Sequence, residues 1–154
     1  MNLQLEIQRV IEVPDLPPTL QFQAWVEAAL QGRRDQAELV IRIVDRDESR
    51  SLNSRYRGKD RPTNVLSFPS ELPPEVESGL LGDLVICAPL VVEEARLQDK
   101  PLSDHWAHLV VHGVLHLLGY DHEQEREADE MEGLEVEILA RQGIPDPYQS
   151  EREP

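Results

Sequence analysis

Apolar positions along the chain switch between a period of two and a period near 3.6, and the switches mark out the elements. Leu3, Leu5 and Ile7 alternate with polar neighbours, the pattern of a half-buried strand. Pro14, Pro17 and Pro18 interrupt it. Thr19 stands where a helix cap belongs, opening a helix to about Gln31 with the stripe Phe22, Val26, Ala29 and Leu30, and Gly32 supplies a stop. Leu39 to Val44 is rich in β-branched residues and reads as a second strand. A helix follows from about Glu48 to Tyr56, with Leu52 and Tyr56 on one face, and Arg57 to Thr63 reads as a loop. Asn64 to Phe68 and Leu81 to Ala88 read as the third and fourth strands, separated by Ser70 to Gly79, an acidic Pro-bearing loop or flap. Pro89 suits the first turn of a helix reaching about Gln98, and Ser103 can cap the next one. Gln124 to Arg141 is an acidic amphipathic helix with Met131, Leu134, Ile138 and Leu139 turned inward. With no internal repeat and no boundary, the pattern predicts a single α+β domain over residues 1–154. It has a small, mostly four-stranded mixed sheet packed with about five helices, and a mobile tail from about residue 146.

Composition narrows the setting. The 154 residues fit one substantial core. Cys87 is the lone cysteine, which excludes an internal disulfide and a cysteine-based zinc cluster. No apolar run approaches the ~20 residues of a bilayer crossing. Met1 to Val10 lacks the basic start and apolar block of a signal peptide. The expectation is a cytoplasmic protein with no membrane partner. A net charge of −15 argues against nucleic acid, since phosphate binding relies on Lys and Arg. The distribution softens that objection. Arg46, Arg50, Arg55, Arg57, Lys59 and Arg61 outnumber Asp47, Glu48 and Asp60, so this span is locally +3 on a body of −18. Such an island can grip a phosphate while the remainder repels nonspecific RNA; a solvated helix face is the alternative.

The chemistry concentrates in His112-Gly113-Val114-Leu115-His116-Leu117-Leu118-Gly119-Tyr120-Asp121-His122. Residues four apart share a helix face, so His112 and His116 point the same way. Gly119 can end the helix in a left-handed conformation, and His122 can return from that turn with a third nitrogen. Three histidines leave the fourth position of a tetrahedral zinc open, the arrangement of a catalytic site. His105, His108, His112 and His116 fall within about 80° of one another on a helical wheel. His108 and His112 are therefore a second candidate pair. Only His112 and His116 run straight into the turn and the third histidine. His108 then reads as a supporting or packing residue, and His105 as a surface one.

Zinc lowers the pKa of bound water to about 7 and polarises carbonyl or phosphoryl oxygens. Geometry alone therefore yields a hydrolase without naming the bond. The spacing is also that of the metzincin proteases, whose helix carries a general-base Glu directly after the first His. Here that position is Gly113, which can carry no proton. Loss of such a group typically sacrifices about 10²–10⁴-fold. Peptide hydrolysis, with Asp121 or Glu123 substituting, is the second reading.

The block His112–His122, preceded by Trp106-Ala107-His108, resembles the signature of the YbeY family of bacterial rRNA maturation factors and endoribonucleases. The stretch Leu52 to Asp60 with Pro62 to Pro69, and then Leu81 to Ile86, resembles the family's two further signatures, so the likeness covers about residues 45–140. The resemblance implies an α+β fold holding one Zn²⁺ per chain on His112, His116 and His122. It also implies a catalytically important Arg57 and metal-dependent cleavage of single-stranded RNA. The implied setting is maturation of the 16S rRNA 3′ end and ribosome quality control, with the small ribosomal subunit and the GTPase Era as partners. A guanidinium can bridge two oxygens of a phosphodiester as charge builds on them, which suits Arg57. Ser67 and Phe68 could offer a hydroxyl and a stacking face to unpaired bases, with core packing of Phe68 as the alternative. Asp83 reads as a turn or hydrogen-bonding residue. A third reading is a ribosome-assembly factor whose metal holds the fold and which cleaves nothing.

Overall fold

The alternating segments lie side by side in the computed structural model, which describes residues 2–71, 79–121 and 124–148. The strands are β1 (Asn2–Arg9), β2 (Gln36–Val44), β3 (Val65–Pro69) and β4 (Leu80–Cys87). They form one mixed sheet in the order β1-β2-β4-β3. The β1–β2 and β2–β4 pairs are parallel and β3–β4 is antiparallel, so β3 is a short edge strand. Five helices accompany them among the described residues: α1 (Thr19–Leu30), α2 (Arg46–Arg57), α3 (Ala88–Leu97), α4 (Leu102–Leu117) and α5 (Glu125–Arg141). This is the expected α+β domain. Residues 72–78, most of the expected loop or flap, lie outside the described residues.

The period of two divides the strands between two faces. Leu39, Ile41 and Ile43 of β2 and Leu84 and Ile86 of β4 turn to the main core, which α1, α3, α4 and α5 complete. Phe22, Val26, Ala29 and Leu30 are fully buried there as the stripe requires. Trp25, absent from that stripe, is buried too, and Phe22 meets Trp25 and Trp106 edge-on at 5.7 and 5.6 Å. Intervening residues Val44, Leu66 and Val85 face the other way, where among the described residues α2 covers them through Leu52, with Phe68 alongside. Beside α2 this thinner face holds a groove of about 820 Å³, lined in part by Arg42, Tyr56, Phe68 and Asp83.

Helix ends explain small differences from the expected bounds. α2 starts before Glu48 because the Asp45 carboxylate accepts from the Glu48 N–H at 2.9 Å, and it ends at Gly58 with φ of 69°. Neither Thr19 nor Ser103 caps its helix. Pro18 and Pro101 hold those positions, where the ring presets the backbone angle but supplies no side-chain acceptor. After α5 the chain lies back against the body as far as residue 148. Pro147 is buried, and its carbonyl accepts from the Lys100 ammonium at 2.7 Å. Residues 149–154 lie outside the described residues.

Candidate metal centre

α4 is the central helix of the main core, and most of its circumference is buried. Its side toward the sheet is narrowed by Gly113. A Cβ there would stand 2.8 Å from Leu84 Cδ2 and 3.1 Å from Cδ1, so glycine permits the close approach of helix and sheet. The Ser67 hydroxyl, on the edge strand, donates to the Gly113 carbonyl at 3.2 Å. The position that carries a general base in metzincins is thus packed into the sheet, which counts against a peptidase of that design. Ser67 supports α4 in this role.

His112 and His116 lie one turn apart on another side of α4, both half-buried. Their Nε2 atoms are 3.1 Å apart and their ring centroids 4.6 Å. Just beyond, Gly119 takes φ of 103° and its N–H reaches back to the His116 carbonyl at 3.0 Å, ending the helix as its sequence position suggests. His122 lies outside the described residues.

The partner that spacing on α4 could not reveal is Glu135 of α5. It is fully buried, and its Oε1 accepts from His112 Nδ1 at 2.5 Å. Its Oε2 takes a hydrogen bond from the Tyr148 hydroxyl and another from His108 Nε2 at 3.2 Å. Burial by itself would raise the Glu135 pKa. The hydrogen bonds from His108 and His112 outweigh it and hold the carboxyl at about 2, so the group is an anion at neutral pH. An ionised carboxylate only accepts, so it fixes the proton of a neutral His112 ring on Nδ1 and leaves Nε2 as the basic nitrogen facing His116.

These residues suit a cation. Two imidazole nitrogens at the usual zinc distance of 2.0–2.1 Å stand about 3.3 Å apart in a tetrahedral site; the observed 3.1 Å is close to that. A carboxylate holding the far nitrogen is the usual companion of a ligating histidine. The group His108, His112 and Glu135 could itself hold a metal ion, since one ligand atom from each lies within 4.8 Å of the others. The two arrangements share His112.

His108 joins the cluster through Glu135 and is a candidate ligand in the second arrangement, beyond the supporting role expected of it. Its ring also meets Tyr148 edge-on at 5.2 Å. His105 is not the surface residue expected: it is only 4% exposed, and its Nε2 lies 2.9 Å from Glu94 Oε1. A helix start looks exposed in sequence, but α3 packs over this one and brings Glu94 to it. Arg57 stands apart from the histidines. It is exposed in the last turn of α2, on the opposite face of the sheet from α4, and makes no ion pair among the described residues. Phe68 is half-buried and contacts Tyr56 edge-on at 5.2 Å, combining the packing and exposed-face readings. Asp83 is exposed in β4 and borders the groove on the α2 face.

The histidine helix, the basic α2 and the Gly82–Asp83 strand all fall within residues 8–143, which match the family model for endoribonuclease YbeY. The chain belongs to the YbeY endoribonuclease family. That membership makes it a hydrolase of RNA phosphodiester bonds with a role in rRNA processing. The solution structure of TM1509 from Thermotoga maritima shares the fold, with a TM-score of 0.58 and 24% identity over 97% of this chain and 93% of that one. No helix among the described residues is long and apolar enough to cross a membrane.

Proposed function

We propose that this chain is a zinc-dependent, single-strand-specific endoribonuclease of the cytoplasm. In this reading it acts in 16S rRNA 3′-end maturation and ribosome quality control, with the small ribosomal subunit and the GTPase Era as partners. Residues 1–154 work as one domain, with His112, His116 and His122 as ligands of one zinc ion. The observation that carries the metal reading is the pair of Nε2 atoms 3.1 Å apart while Glu135 secures the other nitrogen of His112.

When bound, zinc supplies Lewis acidity at a phosphate oxygen and an acidified water. The chain does the rest. Glu135 keeps the His112 ring in one tautomer and one orientation, so no reorganisation is needed as charge develops. Arg57 grips the RNA backbone from the far side of the sheet. Its guanidinium has no carboxylate partner among the described residues to compete with phosphate. β3 is the edge strand between α4 and α2, so a strand touching both sites passes round that edge. Unpaired RNA, whose bases are free to splay and stack, can follow such a path, whereas a rigid duplex is held off. Exposed Tyr56 and half-buried Phe68 lie on the α2 side of that route and suit base stacking.

The test is end-mapping of RNA cut by wild type, His116→Ala and Arg57→Ala, with zinc content measured on each. His116→Ala should lose zinc and cleavage together. Arg57→Ala should keep zinc but bind RNA more weakly, read as a raised KM with kcat little changed. Equal cutting by all three proteins would overturn the proposal.

A further inference from the structure

Residues 144–148 follow the last helix and lie beyond the segment matched by the family, yet they reach back to the polar cluster on α4. The Lys100 ammonium donates to the Pro147 carbonyl at 2.7 Å, and the Tyr148 N–H donates to Asp146 Oδ1 at 2.8 Å. Between this segment and α4 remains a cavity of about 80 Å³ bordered by Lys100, Asp104, His105 and His108. Ile144 packs on the main core and Pro147 is buried, and together with the Lys100 bond these contacts hold the segment in place. They carry the Tyr148 ring to His108 and its hydroxyl to Glu135 Oε2.

We propose that Tyr148 is a positioning residue: its hydroxyl locks the Glu135 carboxylate in the rotation that holds His112 Nδ1, so the segment after α5 sets the strength of metal binding from outside the ligand set. The two carboxylate oxygens divide the work. Oε1 serves His112, and Oε2 is anchored by Tyr148 and by His108 Nε2, which also lies 3.0 Å from the Tyr148 hydroxyl. Without the hydroxyl, His108 alone anchors Oε2, through the longer contact of 3.2 Å. Glu135 is fully buried, so bulk water cannot readily replace the lost donor. The carboxylate then has freedom to turn toward His108, and the preference of His112 for the Nδ1-protonated form weakens. Groups holding a ligand's far nitrogen typically govern metal affinity by about 10–100-fold, which sets the size of the effect.

This inference rests on the metal reading above, and its test separates the two. Zinc affinity is measured by competition with a chromophoric chelator for wild type, Tyr148→Phe, Lys100→Gln and His116→Ala. Imidazole nitrogen NMR of the metal-stripped proteins reports the His112 tautomer. Tyr148→Phe keeps the ring against His108 and should fold, but should bind zinc about tenfold more weakly and show a mixed His112 tautomer. Lys100→Gln, which loosens the segment without touching the cluster, should shift both readouts in the same direction by less. If His116→Ala loses zinc while Tyr148→Phe keeps wild-type affinity and a single tautomer, the positioning role is wrong and the metal site stands. If wild type binds no zinc, or His116→Ala binds it equally well, both fall.

Discussion

Between α4 and α5, Glu135 is fully buried and takes hydrogen bonds from three side chains, whereas across the sheet Arg50 and Asp60 pair with 56% and 70% of their side-chain surface exposed. The first arrangement cannot relax into water when a partner is lost, so its geometry is tightly determined. The second is screened by salt and traded readily for hydration. A reacting centre needs the first kind of environment, because orientation is set before the substrate arrives. A surface that follows a flexible polyanion is served by the second, where each contact is weak and replaceable. The chain thus keeps its basic island in solvent and its histidines against a buried anion, on opposite faces of one sheet.

The sharpest way to break this contrast is to remove the buried anion. Glu135→Leu leaves the donors of His108, His112 and Tyr148 facing an apolar side chain and should destabilise the fold by about 3 kcal/mol, read from urea unfolding. A loss below about 1 kcal/mol would mean that the cluster is not the rigid element described. Next comes the seat of α4 on the sheet. Gly113→Val drives new atoms into Leu84 and should cost about 1–3 kcal/mol in the same measurement.

Acid should sharpen the contrast further. Burial would raise the Glu94 pKa, but hydrogen bonds from His105 and Asn64 outweigh it and hold the carboxyl below its ordinary value of 4.5. A carboxyl depressed in the folded state contributes stability above 4.5 that disappears as the pH falls through its lowered folded value. Wild type should therefore lose stability relative to Glu94→Gln across that window, and parallel pH profiles would contradict the assignment. The smallest effect belongs to the exposed face: Arg50→Ala, which breaks the pair with Asp60, should leave the unfolding midpoint unchanged at physiological salt. A clear drop would show that the α2 side is more than a solvated surface.

How much of the site was legible follows the range of the interaction concerned. His112 and His116 were readable because a helix alone brings residues four apart together. Glu135 lies 23 residues from His112 and joins it only because α5 packs against α4. Within the acidic pattern of α5 one buried glutamate looks like any solvated one; a glutamate on the helix's apolar side was the available signal. His105 looks exposed in sequence for the same reason, since α3 supplies both its cover and its partner.

Local sequence by itself determined the strands, the five helices, the stop at Gly119 and the pairing of two imidazoles, all of which depend on backbone preferences and periods within a few residues. Tertiary structure alone decided that Arg57 and the histidines occupy opposite faces, that Gly113 seats α4 on the sheet, and that Glu135 and Tyr148 complete the polar cluster. Those outcomes depend on which apolar stripes bury one another, and that competition is settled only when the whole chain packs at once.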